Sequence, residues 1–151
     1  MILLNGALRA ELPSQVFENR YFAANFLFKM YKALYLSPMV PSFDLEETGR
    51  FFKDVLGFSA LMDTKEYAIY AKDNLTVHLL PAGEDIGQME FYLEVDDLDG
   101  LWAAIKEKVK DLKFKAPFDR EYGMREVHIA VPQTNTLLFI GQELKMTKPS
   151  I

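Results

Sequence analysis

The chain has 151 residues, enough for one domain with an ordinary buried core and no need of covalent staples. Its residues are 50% hydrophobic and 26% charged, yet no apolar run reaches the ~20 residues that span a bilayer, which excludes a membrane helix. The net charge is −5 with no basic cluster, which argues against nucleic acid, and the absence of cysteine excludes disulfides, thiolate nucleophiles and zinc–sulfur sites.

Met1–Ala10 has Arg9 as its single positive charge and a short apolar stretch broken by Asn5 and Gly6, a poor secretory signal; the cytoplasm is the expected address. Pro13 and Ser14 offer a helix start, and Phe17, Tyr21, Ala24 and Phe28 then form an amphipathic stripe. Residues 1–32 therefore read either as an N-terminal arm that packs on a partner subunit or as an upstream extension with translation beginning at Met30. The regular pattern runs over 33–144, and 145–151 is a tail.

Within 33–144, Ala33–Val40 reads as a strand ending at Pro41 and Ser42. Asp44 with Glu47 three residues on resembles a capping box, and Leu45, Thr48, Phe52, Val55 and Leu56 give the buried face of a helix stopped by Gly57. Strands are predicted at Phe58–Met62, Tyr67–Ala71 and Leu75–Leu80, the latter two joined by a tight turn at Asp73–Asn74. After the polar break at 81–87 the order repeats. Met89–Val95 is a strand, Asp97 caps a helix buried through Leu98, Leu101, Trp102, Ile105 and Val109, and strands follow at Lys113–Phe118, Glu126–Val131 and Thr136–Gly141. Pro132–Asn135 is the turn between the last two.

The domain is thus an α+β fold of two βαβββ modules, a duplicated unit of about 50 residues. One helix per four strands leaves each sheet covered on one face. The uncovered concave faces are expected to line a cavity for a small ligand.

Five local stretches make this order specific. Pro41–Thr48 with Phe51–Phe52 and Leu56–Gly57–Phe58, then Asp73–Val77, Leu93–Leu98, Tyr122–Val127 and Val131–Asn135, resemble in order and spacing the glyoxalase/bleomycin resistance/dioxygenase (vicinal oxygen chelate) superfamily. The likeness is nearest to the bleomycin-resistance branch and covers roughly Tyr35–Leu144. Val131 and Thr134 depart from the family's usual Asp-Pro-x-Gly-Asn turn.

The resemblance implies four metal-ligand positions in metal-using members, and here they fall on Ser37, His78, Glu90 and Leu138. Only His78 and Glu90 are plausible donors, too few to hold a catalytic cation, so no metal and no other cofactor is expected. His78 and Glu90 could instead pair with each other and orient a polar ligand. His128 is expected at an ordinary strand position. Tyr67, Tyr70, Tyr92 and Tyr122 are aromatics near the expected cavity, whereas Phe52, Phe58, Trp102 and Phe139 are assigned to packing. No nucleophile elbow, phosphate loop or Ser/His/Asp set is legible.

The resemblance implies a metal-independent binding protein that sequesters a cationic or aromatic small molecule at a homodimer interface, as in antibiotic resistance. Ser37, His78, Glu90, Tyr92, Tyr122 and Leu138 are its expected ligand contacts. Pro38 and Pro41 bracket a stretch that could hinge an exchange of the N-terminal strand between subunits. The alternative is a divergent metal-dependent lyase, isomerase or dioxygenase of the same superfamily using His78 and Glu90.

Overall fold

A computed structural model describes residues 31–145. The predicted helical stripe from Phe17 to Phe28, and the tail beyond Lys145, lie outside the described residues.

Residues from Ser37 onward form one compact unit. Its strands are β1 (Met39–Ser42), β2 (Ser59–Asp63), β3 (Ala68–Lys72), β4 (Leu75–Pro81), β5 (Met89–Glu94), β6 (Phe114–Asp119), β7 (Met124–Ala130) and β8 (Thr136–Glu143). Helix α1 (Leu45–Arg50) runs on into a π-helical turn at Phe51–Val55, and α2 (Leu98–Ile105) is the second helix. The strands make two four-stranded sheets, ordered β1-β4-β3-β2 and β5-β8-β7-β6. In each, the first strand of the module lies parallel to the last and the remaining pairs are antiparallel. This is the predicted pair of βαβββ modules.

Both helices start as the sequence dictates. Asp44 Oδ1 accepts from the Glu47 amide at 3.0 Å and Asp97 Oδ1 from the Gly100 amide at 2.9 Å, each cap worth about 1 kcal/mol. The capping box is not closed at α1: the Asp44 amide donates to Ser42 Oγ and the Glu47 carboxylate instead accepts from Gln133 Nε2. That last bond belongs to a junction between the modules. Phe43 N donates to Gln133 O, and Thr48 Oγ1 donates to Pro132 O while its own oxygen meets Ser42 Oγ at 2.8 Å. The turn at 132–135, with Gln133 at φ 57, therefore holds the start of α1.

After Arg50 the helix widens. Leu56 N donates back five residues to Phe51 O, and the consecutive side chains Phe51 and Phe52 both enter the core with ring centroids 5.4 Å apart, edge to face. The core is one cluster shared by the modules. It joins Val40, Phe52, Val77 and Leu79 of the first to Leu98, Ile105, Val127, Ile129, Leu138 and Ile140 of the second. Each such buried aliphatic or aromatic side chain contributes about 1.5–3 kcal/mol of apolar transfer energy.

The expected strand over Ala33–Val40 is corrected to Met39–Ser42: residues 31–38 have no strand. Pro41, taken as a stop, sits inside β1. The strand pairs through one edge with β4, so a residue lacking an N–H is tolerated there.

Candidate functional site

The pleat decides which side chains can meet a ligand, because alternate residues point to opposite faces. In the first sheet Val40, Ala68, Tyr70, Val77 and Leu79 face the helix side and are buried. Met39, Ile69, Thr76 and His78 take the other face, with His78 between Met39 and Ile69 in register. Ser37 reaches that face too, donating from Oγ to Thr76 O at 2.8 Å and accepting from Thr76 Oγ1 at 2.9 Å. Tyr70, expected near the cavity, belongs instead to the core, where burial first and then Asp63 push its phenol up to about 12.

His78 carries the most informative atom of this face. Its Nδ1 pairs with the Tyr67 hydroxyl, whereas Nε2 is buried with no partner, alone among the buried side-chain polar atoms of the described residues. An unsatisfied buried group of this kind costs about 1–3 kcal/mol, and in a native structure it calls for an explanation.

In the second sheet Val127, Ile129, Leu138 and Ile140 are buried on the helix side. The opposite face carries Glu90, Tyr92 and Glu94 from β5, Phe139 and Gly141 from β8, and Glu126 and His128 from β7. The expectation that Leu138 contacts the ligand is therefore corrected: it is fully buried in the core. Its neighbour Phe139, assigned to packing, holds the open-face position beside Tyr92. Glu90 is exposed and accepts from Gln88 Nε2 at 2.9 Å. Tyr92 lies over Gly141, where a Cβ would come within 2.5 Å of its hydroxyl oxygen; burial first, then Glu94, push this phenol up to about 12.

A polar network closes the far end of the same face. Tyr122 donates to Glu126 Oε1 at 2.6 Å, His128 Nε2 lies 2.9 Å from Glu126 Oε2, and Arg120 Nε donates to the Tyr122 hydroxyl at 2.7 Å. Burial works to raise the Glu126 pKa. Bonds from His128 and Tyr122, together with the Arg120 guanidinium, outweigh it and hold the carboxyl below the usual carboxylate range. A depression of about 330 Å³ beside it is lined by Phe118, Arg120 and Tyr122 among others. A second cleft, about 430 Å³, lies between the Asp73–Asn74 turn and the start of α2 and is lined by none of the predicted contacts.

The structure thus places Ser37 and His78 on one open face and Glu90, Tyr92 and Tyr122 on the other. No hydrogen bond or ion pair joins the two sets among the described residues, and the His78–Glu90 pair is not formed. Arg120, Glu126, His128 and Phe139 are the open-face residues that sequence reasoning passed over. The alternation Glu126-Val127-His128-Ile129 was the available signal, polar residues on one face and apolar on the other.

Two sheets built from βαβββ modules, each with one face covered and one open, define the glyoxalase/bleomycin-resistance-like fold, and comparison with solved structures bears this out. A glyoxalase/bleomycin resistance protein/dioxygenase from Nocardioides superposes with a TM-score of 0.63 at 16% identity, covering 89% of this chain and 98% of the other. The bleomycin-binding protein of Streptomyces verticillus, solved with copper(II)-bleomycin, gives 0.63 at 19% identity over 74% and 97%. TnmS3, an antibiotic binding protein from Streptomyces sp. CB03234, gives 0.63 at 20% over 76% and 98%. No protein-family model and no curated protein matches the sequence. At these identities the likeness establishes the fold.

The residues at the metal positions implied by resemblance do not fit a metal within one chain. Ser37 is committed to Thr76, Leu138 is in the core, and no group of three His, Asp or Glu side chains among the described residues could hold an ion.

Proposed function

We propose that this chain binds a small aromatic or cationic molecule on its open sheet faces, without a metal, and thereby sequesters it. The observation that carries the reading is what those faces leave uncovered. Met39 and Met62 on the first face, and Tyr92 and Tyr122 on the second, are each about half exposed or more. The first face also carries His78 Nε2, the one orphan buried side-chain polar atom among the described residues. Aromatic faces and thioethers suit a planar ligand, and Glu90 and Glu94 add attraction for a cation. The two antibiotic-binding neighbours support the same class of ligand. Removal of a toxic compound in the cytoplasm is the role that follows.

We take the binding unit to be a homodimer in which an open face of one copy meets that of its partner. Ligand sites enclose most of the ligand, and two open faces brought together would do so. Sedimentation across micromolar concentrations is expected to show a dimer; a monomer throughout would remove this part of the proposal.

Equilibrium dialysis against a panel of planar aromatic and cationic aromatic compounds tests the rest. His78→Ala and Tyr92→Ala are expected to weaken a bound compound about tenfold each, the loss of one good hydrogen bond or aromatic contact. Leu138→Ala is expected to cost about 2–5 kcal/mol of stability with affinity unchanged in the folded fraction. Affinity indifferent to both open-face variants would refute the assignment.

A further inference from the structure

Glu126 and His128 lie two residues apart on β7, on the open face of the second sheet, and neither belongs to the apolar core cluster. We propose that they form a proton-accepting anchor, so that this face takes aromatic ligands bearing an acidic hydroxyl and holds them as phenolates. The inference rests on the reading that the open face binds aromatic compounds, and it narrows that class.

The argument starts from the carboxylate. Glu126 is 4% exposed, and its oxygens are taken by Tyr122 at 2.6 Å and His128 Nε2 at 2.9 Å, with Arg120 Nε 3.7 Å away. An ionised carboxylate only accepts, so His128 Nε2 must carry its proton toward it. In the neutral ring that fixes the tautomer and leaves the lone pair on Nδ1. Nδ1 has no partner among the described residues, and the side chain keeps 14% of its surface exposed. A carboxylate that orients an imidazole also stabilises the imidazolium that forms when the ring takes up a proton.

The surroundings select the donor. The Phe139 and Phe118 ring centroids stand 4.0 Å and 5.0 Å from that of His128 and give it aromatic walls. Two cations overlook the same place. Lys115, opposite His128 in register, sets Nζ 3.7 Å from the Phe118 centroid, and the Arg120 guanidinium stands 5.6 Å from it and 4.9 Å from the Tyr122 ring. Lys115 forms no ion pair among the described residues, so its charge is available to an anion. A carboxylic acid arrives already ionised and has no proton to give, and an aliphatic alcohol is too weak an acid for imidazole. A phenol acidified by an electron-withdrawing substituent lies within reach. Its O–H bond breaks, the proton goes to His128 Nδ1, and the electron pair stays on oxygen. The imidazolium then faces Glu126, and the phenolate has Lys115 and Arg120 nearby.

The test uses the full chain with 4-nitrophenol and its methyl ether, 4-nitroanisole, which has the same ring and no proton. Absorbance reports ionisation and equilibrium dialysis reports affinity, at a pH below the ionisation of free 4-nitrophenol. Both compounds are expected to bind, with 4-nitrophenol bound as the coloured phenolate. His128→Gln and Glu126→Gln are expected to keep 4-nitroanisole, which checks their folding, while losing the phenolate band and about tenfold in 4-nitrophenol affinity. The wild-type spectrum decides even where a variant fails to fold. Equal binding of both compounds, with the phenol neutral, overturns the proton anchor and leaves aromatic binding standing. Binding of neither overturns both.

Discussion

A carboxylate buried as deeply as Glu126 must be compensated, and its partners hold its pKa down. Its pKa is lowered in the folded state, so its contribution to stability is present above the ordinary carboxylate range. That contribution is lost as pH falls through the lower, folded value. Denaturant unfolding at neutral and at progressively acidic pH is expected to show this loss. Glu126→Gln is expected to remove about 1–3 kcal/mol at neutral pH and to flatten that part of the profile; an unchanged profile in the variant would mean that the network does not stabilise the fold. The residue scale is also where the sequence misled. In β8 the run Leu137-Leu138-Phe139-Ile140 is apolar at both parities, so nothing in it says which residues face the helix. Counting to a family position landed on Leu138, one residue out of phase with the open face, and one residue is a whole face in a strand. β7 has clean alternation, and His128 was legible there.

At the scale of elements the reading was fuller, because two periods and their punctuation carry it. Asp44 and Asp97 cap helices as predicted, Gly57 takes φ 73 after the first helix, and the Asp73–Asn74 turn joins β3 to β4 with Asp73 at φ 54. The π-helical turn could not be read, since a widened turn depends on what the core asks of Phe51 and Phe52 together. The approach of α1 to its sheet was equally hidden. A Cβ on Gly49 would stand 2.2 Å from the Tyr70 hydroxyl oxygen and 2.9 Å from its Cζ, and Tyr70 is buried and bonded to Asp63. Alanine in place of a helical glycine ordinarily adds about 1 kcal/mol. Here Gly49→Ala is expected to destabilise by about 1–3 kcal/mol through overpacking, seen as a lower denaturant midpoint. A raised midpoint would show that the helix can lift away from β3 at little cost.

The whole molecule follows from repetition. Two modules with the same element order share one core on their helix sides and leave two chemically different open faces. The first is apolar and thioether-rich around His78; the second is aromatic and charged around Glu126 and His128. β1 pairs in parallel with β4 in the first sheet. Neither face brings three metal donors together among the described residues, and this is why the account rests on a binding site made of ring surfaces, carboxylates and imidazoles. The decisive measurement is binding of a retained aromatic ligand to chelator-treated protein by calorimetry, repeated after nickel, zinc, iron or manganese is restored. The account predicts the same affinity in both, with no metal held through dialysis. Binding that requires a restored ion, retained near one per chain, would contradict it and return the chain to metal-dependent chemistry.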